Sequence, residues 1–286
     1  MNILVIGGTG TLGSNLLARL SPEHDVTCIS RDEQKQQAMK RDYPRVKFAL
    51  GDIRDPSSIE RFFDGMQLVF HVAALKHVDV VEDNPQEAIK TNIYGTINVA
   101  DAAMRYDVPH VIFSSTDKAV LPINVYGMTK GISERYLHSL NDIQTSTKFV
   151  VYRWGNVAFS RGSVIHSFAS TLQLKGEVNI TDERMTRFMI HIDEAVEFML
   201  SNYRSAGRTE VMIPPMKAAK VVDLARATAS VLNIDKFDVK IVGIRPGEKI
   251  HECIESNHDF CVRSDTAPQF TDQELRDMVA RVLSCA

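Results

Sequence analysis

Short apolar runs alternate with longer amphipathic stretches through the first half of the chain. The short runs are rich in β-branched residues and apolar on both faces, which is typical of strands in a parallel sheet covered on both sides. They lie at Ile3–Ile6, Val26–Ile29, Val46–Leu50, Leu68–Val72, Val111–Phe113 and Phe149–Tyr152. The intervening stretches predict helices at Thr11–Leu20, Asp32–Tyr43, Pro56–Phe63, Pro85–Tyr106 and Asn124–Leu140. This alternation predicts an α/β fold with a Rossmann-type, doubly wound parallel sheet.

After Tyr152 the pattern breaks into shorter pieces. Helices are predicted at Ile190–Tyr203, Val221–Leu232 and Thr271–Leu283, with short strands at Val211–Ile213 and Val239–Val242. We therefore predict a doubly wound domain at residues 1–155, completed by elements around 188–213, and a smaller C-terminal α/β lobe at residues 156–286.

Composition excludes several classes of protein. A chain of 286 residues can bury a sizeable core without staples, and a net charge of −3 offers no basic field for nucleic acid. Cysteines at positions 28, 253, 261 and 285 are too few and too scattered for a disulfide scaffold. No apolar run approaches the ~18 residues of a membrane span. We expect a cytoplasmic protein with neither a nucleic-acid nor a membrane partner.

A glycine-rich turn follows the first predicted strand. Gly7, Gly10 and Gly13 form G-x-x-G-x-x-G where the strand passes into a helix. Glycine there allows a tight turn and lets a pyrophosphate approach the backbone at the helix N-terminus. We predict a dinucleotide site made by Gly7, Thr9, Gly10, Thr11, Leu12 and Gly13. A plain glycine turn is the alternative.

The residues after the second and third strands bear on the kind of dinucleotide. Ser30 and Arg31 precede any acidic residue, and a hydroxyl with a guanidinium suits the 2′-phosphate of NADP better than the ribose hydroxyls of NAD. Arg31 could instead be a solvated residue at a helix start. Asp52, next to Ile53, fits a hydrogen bond to adenine, although an Asp at this place could equally be an N-cap or a turn residue.

Candidate chemistry follows the fourth and fifth strands. Small Ala73 and Ala74 let a cofactor lie against the backbone. Tyr126 and Lys130 are four residues apart, so they share one helical face. A lysine ammonium beside a phenol lowers the phenol pKa, which makes a base for an alcohol proton.

Several longer motifs carry a resemblance. They are Ala73–Val78, Ser115–Ala119, Pro122–Gly127, Arg153–Val157, Ser160–Ser163, Arg184–Phe188 and Ile244–Lys249. With these motifs the sequence resembles the extended short-chain dehydrogenase/reductases that act on nucleotide sugars. More closely it resembles the soluble, carbon-5-inverting UDP-N-acetylglucosamine (UDP-GlcNAc) 4,6-dehydratases of the polysaccharide biosynthesis protein family.

The resemblance implies roles for individual residues. Tyr126 with Lys130 would take the proton of the 4-hydroxyl, Asp117 would be the acid for the leaving 6-hydroxyl, and Lys118 the base for carbon 5, beside Thr116. Opposite neighbouring charges titrate jointly, so the division between Asp117 and Lys118 stays open. Cofactor contacts are implied for Lys76, Asn92, Ser114 and Ser115 as well as the residues above. Substrate contacts are implied for Lys76, His77, Asn156, Val157, Arg161, Ser163, Arg187, Arg245 and Glu248.

Alternatives remain at this level. The chain could act on another nucleotide sugar, as a dehydratase, epimerase or reductase, or be a non-catalytic NADP sensor. Leu121, Trp154 and Phe159 replace an Asn, a Tyr or Phe, and a small residue of the relatives, beside the active loop and the substrate segment. A metal cluster of His251, Cys253, His258 and Cys261 matches no standard zinc spacing, and no metal is expected. A homo-oligomer is expected.

Overall fold

The protein divides into two compact units. The computed structural model describes residues 1–144, 146–158, 164–257 and 259–284. Unit 1 consists of Met1–Arg153 and Val196–Ile213, and unit 2 of Trp154–Ala195 and Pro214–Ala286. The returning segment of unit 1 therefore starts at residue 196, and residues 188–195 belong to unit 2.

The strands and helices have the following bounds. The strands are β1 Asn2–Ile6, β2 Asp25–Ser30, β3 Lys47–Leu50, β4 Leu68–His71, β5 His110–Thr116, β6 Lys148–Trp154, β7 Asn156–Ala158, β8 Glu177–Ile180, β9 Thr186–His191, β10 Val211–Met212, β11 Lys217–Lys220, β12 Asp238–Ile241, β13 Cys253–Ser256 and β14 Cys261–Arg263. The helices are α1 Thr11–Leu20, α2 Glu33–Lys40, α3 Pro56–Ile59, α4 Val78–Asp83, α5 Pro85–Ala88, α6 Gly95–Arg105, α7 Val125–Ile143, α8 Val164–Lys175, α9 Ile192–Asn202, α10 Val221–Val231 and α11 Asp272–Ser284. None of the helices in the described ranges is both long and apolar enough to cross a bilayer.

The predicted α/β fold is confirmed in unit 1. Within the described residues, a seven-stranded sheet has the order β10-β6-β5-β4-β1-β2-β3. β1 pairs in parallel with both β2 and β4, so the strand order reverses beside it. Ligands of such sheets bind beyond the carboxyl ends of the strands at this reversal. Leu4, Val69 and Phe113, all fully buried, belong to the core that packs against one face.

The helix predicted at Pro85–Tyr106 is interrupted. After α5 the chain makes a π-helical turn at Ile89–Tyr94 before α6 begins. Such turns are frequent at functional sites, and this one contains the buried Asn92. α4 was not predicted, because its six residues are too few to show an apolar stripe.

Unit 2 is built from small sheets and amphipathic helices. Its sheets have the orders β11-β9-β7, β12-β8 and β13-β14, and a disulfide joins Cys253 to Cys261 across the last pair. Its core includes Ile165 of α8, Leu224 of α10 and Val279 of α11. Several of these strands, such as Glu177–Ile180 and Lys217–Lys220, mix polar and apolar residues, so no apolar run marks them. The sequence pattern identified only β12.

Candidate active site

The glycine-rich turn fits a pyrophosphate. Gly7 has a φ of +90°, and a Cβ there would lie 2.7 Å from the backbone N of Ala73. A Cβ on Gly13 would lie 2.5 Å from both the Gly7 carbonyl oxygen and Gly8 Cα, so the helix packs directly on the turn. Gly10 is the N-cap of α1 and offers no side chain to cap its N-terminus. An anion is the natural partner of such a helix end.

The end of β2 presents a mixed group of charges. Ser30 is buried, and its hydroxyl accepts a hydrogen bond from Gln36 Nε2 at 2.8 Å. The Arg31 guanidinium is half-exposed and lies 3.8 Å from Asp52 Oδ2. Asp32 caps α2 by accepting from the Lys35 N–H at 2.9 Å. A basic side chain therefore precedes the acidic one here, as the sequence indicated.

Asp52 is engaged by a neighbouring arginine. The Arg54 guanidinium donates through Nε and Nη2 to Asp52 Oδ2, at 2.9 and 2.6 Å. Partial burial works against ionisation, but the hydrogen bonds from Arg54 outweigh it and hold the pKa of Asp52 below its usual value. Ile53 is buried, and its side chain lies where a Cβ on Gly95 would clash. The adenine contact stays a prediction.

Asn92 fastens the segment after β4 to α7. Its Oδ1 accepts from the Leu75 N–H at 2.9 Å, and its Nδ2 donates to the Leu75 carbonyl and to Thr129 Oγ1, both at 3.0 Å. Both amide N–H groups are thus used within the protein, so Asn92 acts by holding the segment that carries Ala73, Ala74 and Lys76. Lys76 and His77 are both exposed, but partial desolvation of the Lys76 amine lowers its pKa.

The acid/base group lies at the carboxyl end of β5. Thr116 ends the strand, and Asp117 and Lys118 begin a single 3-10 turn. Thr116 Oγ1 donates to Asp117 Oδ1 at 3.0 Å, and the Lys118 ammonium forms an ion pair with the same oxygen at 3.0 Å. The Asp117 side chain is fully buried, while that of Lys118 keeps 19% of its surface exposed. The structure therefore brings a hydroxyl, a carboxyl and an amine together.

The N-terminus of α7 is held against this turn. Asn124 caps the helix by accepting from the Gly127 N–H at 2.7 Å, and the Val125 N–H donates to Glu82 Oε1 at 2.5 Å. A Cβ on Gly127 would lie only 2.0 Å from the Lys118 carbonyl oxygen, so only glycine allows the approach. This contact fixes Tyr126 beside Thr116 and Lys118.

The cation acting on Tyr126 differs from the sequence expectation. Burial raises the pKa of Tyr126 to about 12, while the charge of Lys118 and a hydrogen bond with Thr116 act to lower it. The sequence argument assigned that charge to Lys130. In the structure the Lys130 ammonium instead donates to the Ser114 carbonyl at 2.7 Å and lies 4.2 Å from the centroid of the Phe113 ring.

Ser115 belongs to a buried polar network that sequence reasoning missed. Its hydroxyl donates to Glu134 Oε1 at 2.5 Å, and Arg153 Nη2 donates to Glu134 Oε2 at 2.6 Å. The only signal in the sequence was the acidic residue one helical turn after Lys130. Arg153 is too distant along the chain to have been paired with it.

The predicted substrate residues of unit 2 lie on β7, β9 and the loop before β13. Arg187 of β9 donates to the carbonyls of Thr186, Ile250 and Lys249, so its guanidinium holds the loop that contains Arg245 and Glu248. Asn156 and Val157 lie on β7, which pairs in parallel with β9. Arg161 and Ser163 lie outside the described residues, as does Phe159.

The cysteines near β13 are bonded to each other. Cys253 and Cys261 form the disulfide described above, and His258 lies outside the described residues. Within the described ranges no cluster of three or more His, Cys, Asp or Glu side chains is arranged to hold a metal ion.

The sequence of the chain is similar to those of known proteins. The profile of the family described as polysaccharide biosynthesis protein matches residues 3–273. A UDP-N-acetylglucosamine 4,6-dehydratase (inverting) of Campylobacter jejuni is 41% identical over 267 residues, covering 90% of this chain and 78% of the relative. A UDP-glucose 4-epimerase of Rickettsia rickettsii is 35% identical over 273 residues, covering 92% of this chain and 80% of that protein.

Solved structures show the same fold. The X-ray structure of Pen from Bacillus thuringiensis has a TM-score of 0.91 at 30% identity, covering 98% of this chain and 97% of that one. DesIV of Streptomyces venezuelae, a dTDP-glucose 4,6-dehydratase crystallised with NAD and TYD, has a TM-score of 0.81 at 21% identity, covering 99% of this chain and 97% of its own. The resemblance inferred from the motifs is confirmed by these matches: the chain belongs to the polysaccharide biosynthesis protein family.

Proposed function

We propose that the protein is a UDP-GlcNAc 4,6-dehydratase that inverts carbon 5. The observation that carries the proposal is the Asp117–Lys118 ion pair beside Tyr126, at the end of a central strand. Dehydration removes the proton of the 4-hydroxyl, the hydride on carbon 4, the proton on carbon 5 and the 6-hydroxyl. It then delivers the hydride to carbon 6 and a proton to carbon 5. The product is a UDP-4-keto-6-deoxy-N-acetylhexosamine, and one water is lost.

Each group has one task in this scheme. Tyr126, in its phenolate form, takes the proton of the 4-hydroxyl. The proton of the Lys118 ammonium first passes to the Asp117 oxygen that it contacts. The neutral Lys118 amine then takes the proton from carbon 5, which is acidic once carbon 4 is a ketone, and the protonated Asp117 gives its proton to the departing 6-hydroxyl. The shared oxygen of the ion pair couples the two titrations, so the pair acts as one acid/base unit. A 4-epimerase needs Tyr126 alone, which is why this pair favours dehydration.

The dinucleotide we propose is NADP. It would be held over Gly7–Gly13, and when bound it supplies the acceptor and later the donor of the hydride. Ser30 and Arg31 support NADP, because a half-exposed guanidinium can reach a 2′-phosphate. The presence of NAD in the DesIV crystal makes NAD the alternative. Arg31→Ala should weaken NADP binding at least tenfold and NAD binding much less; equal losses would exclude a 2′-phosphate contact.

The nucleotide sugar is proposed to contact the residues that the family motifs imply. They are Lys76, His77, Asn156, Val157, Arg161, Ser163, Arg245 and Glu248. Arginine suits the diphosphate because its guanidinium binds phosphate oxygens in pairs. Arg187 would serve mainly by holding the Lys249 and Ile250 carbonyls, since its donors already point at them.

Incubation with UDP-GlcNAc tests the proposal. Mass spectrometry should show a product that has lost one water, and Lys118→Met should slow its formation by about 10²–10⁴-fold, the usual contribution of a general base. Lys118→Arg is the matched control, because it keeps the charge beside Asp117 but is a poor base. A product of unchanged mass would indicate an epimerase, and a two-hydrogen gain a reductase. No turnover, with cellular function intact in Tyr126→Phe, would indicate an NADP sensor.

A homo-oligomer is part of the proposal. Leu121, Ile123, Met128 and Ile132, all more than 45% exposed, lie on α7 and the loop before it. Apolar patches of this kind are typical of subunit contacts. Sedimentation equilibrium should show a dimer or larger form that Ile132→Glu dissociates, and a monomer at micromolar concentration would contradict it. Cytoplasmic localisation stays a prediction.

A further inference from the structure

A buried charged residue follows Tyr126 and Lys130 on helix α7. Glu134 of α7 is 5% exposed, and it accepts hydrogen bonds from the Ser115 hydroxyl of β5 and from the Arg153 guanidinium of β6. Arg153 approaches both carboxylate oxygens, with Nε 3.2 Å from Oε1 and Nη2 2.6 Å from Oε2. The carboxylate therefore joins two strands of the sheet to the helix that carries Tyr126 and Lys130.

Lys130 lies one helical turn before Glu134 on the same face. Its ammonium is buried, with the Ser114 carbonyl and the face of the Phe113 ring as its contacts from β5. From β4 it faces His71, which burial and the charge of Lys130 keep neutral, with a pKa of about 3. Lys118 with Asp117 follows β5, and Tyr126 precedes Lys130 on α7.

Burial works strongly against a charge at this place. It lowers the pKa of Lys130 to about 7, and the charge of Glu134 acts in the opposite direction. A carbonyl and an aromatic face stabilise an ammonium less than water does. Of the charged neighbours named above, Glu134 is the anion that lies nearest along the helix. The charges of Lys130, Glu134 and Arg153 therefore alternate in sign, with the negative carboxylate between the two positive groups.

We propose that Glu134 is a positioning residue that favours the charged form of the buried Lys130 amine, and that Arg153 and Ser115 hold the Glu134 carboxylate oriented for this task. The proposal rests on the proposed function only in one respect, that a charged Lys130 serves the reaction. Arg153 reaches Glu134 from a different strand, so the carboxylate cannot turn away from Lys130 without breaking its ion pair with that arginine. Without the Glu134 charge, a smaller fraction of Lys130 would be protonated at neutral pH.

The direct test is the pKa of Lys130. With lysine labelled at Cε and Nζ, NMR titration of the full chain gives this value, and the signal lost in Lys130→Met assigns it. In Glu134→Gln the pKa of Lys130 should fall by about one unit, since a nearby opposite charge is lost. Glu252→Gln is the matched control, because Glu252 is another buried carboxylate paired with an arginine but belongs to unit 2; it should leave the value unchanged.

A second variant covers the case in which Glu134→Gln does not fold. Glu134→Gln with Arg153→Met removes both charges, leaves no unpaired arginine, and should still lower the pKa of Lys130. Glu134→Asp keeps the charge and should restore most of the value. A pKa of Lys130 that is the same in wild type and in every folded Glu134 variant would overturn the proposal.

Activity gives an independent readout. If charged Lys130 is required, the alkaline limb of the kcat/KM profile lies at its pKa, with activity present below and lost above. Lowering that pKa moves the limb to lower pH in Glu134→Gln, whereas a merely structural role would reduce the rate equally at every pH. If no variant, including wild type, dehydrates UDP-GlcNAc, the proposed function fails, while the NMR result still decides the role of Glu134.

Discussion

At the scale of single residues, neighbouring groups favour ionisation of the half-buried Tyr126 phenol. Tyr126 is half-buried, and burial alone would keep its proton in place at any physiological pH. The Lys118 charge and the Thr116 hydroxyl both act against that tendency, and both belong to the turn that ends β5. The acid/base pair thus has a further effect, which is to help the first proton transfer.

Thr116→Val tests this effect. The Thr116 hydroxyl, which donates to Asp117 in the structure, can turn to donate to the Tyr126 phenolate once it forms. Loss of this donor should therefore raise the pKa of Tyr126. Since the phenolate is the active form, the acid limb of the kcat/KM profile should move to higher pH, by about one unit. Thr116→Ser retains the hydroxyl and should leave the limb in place. An unshifted limb in the valine variant would show that Thr116 does not act on Tyr126.

Leu121 is a second residue whose conformation has a measurable consequence. Its φ is +45°, a left-handed conformation that asparagine adopts more easily than leucine, and its side chain is 61% exposed. Leu121→Asn should therefore raise the free energy of unfolding by about 1 kcal/mol, the usual cost of this region for an ordinary residue. Denaturant unfolding measures it, with Leu121→Ala as a control that removes the apolar side chain and should gain little. Equal values for both variants would contradict the argument from conformation.

At the scale of elements, the site depends on how closely α1 and α7 approach the sheet. Gly13 and Gly127 stand where a Cβ would meet backbone atoms, and neither contact can relax by turning a side chain. The sequence pattern predicted both helices and the strands before them. It could not predict the π-helical turn at Ile89–Tyr94 or α4, because both are set by packing around Asn92 and α7 rather than by periodicity.

Two alanine variants test how tightly the glycine turn packs against α1. Gly13→Ala should lower the free energy of unfolding by about 1–3 kcal/mol, the range for overpacked sites, since its Cβ would press on the Gly7 carbonyl. Gly10→Ala should cost little stability, because its Cβ would meet only the Gly7 carbonyl oxygen, at 3.3 Å. Thermal unfolding without dinucleotide measures both. A Gly13 variant as stable as the Gly10 variant would contradict the packing.

At the scale of the molecule, the two halves differed in how well the sequence predicted them. In unit 1, apolar runs such as those at Val69 and Val151 are buried on both faces and long enough to identify strands. In unit 2, β7 and β14 have three residues each, and their pairing depends on contacts far apart in sequence. Distance along the chain also limited the prediction of the site. Arg153 and Glu134 are far apart in the sequence and come together only in the folded protein, whereas Asp117, Lys118 and Tyr126 lie close together in the chain.

The stability of unit 1 should depend on pH through His71. Burial lowers the pKa of His71 from 6.5 to about 3, so the unfolded chain binds a proton that the folded one does not. Its contribution to stability is complete above pH 6.5 and is lost as the pH falls towards 3, at about 1.4 kcal/mol per unit. His71→Gln cannot titrate, so its unfolding free energy should change less steeply between pH 6 and about pH 4. Equal slopes in the two proteins would show that His71 protonates freely when folded.

The central claim is that this chain removes water across carbons 5 and 6 of UDP-GlcNAc. Turnover in deuterated water, followed by NMR of the product, tests it most directly. We expect a 4-keto-6-deoxy product with deuterium at carbon 5, inverted configuration there, and the former carbon-4 hydrogen at carbon 6. A product that keeps its 6-hydroxyl and carries no deuterium at carbon 5 would contradict it.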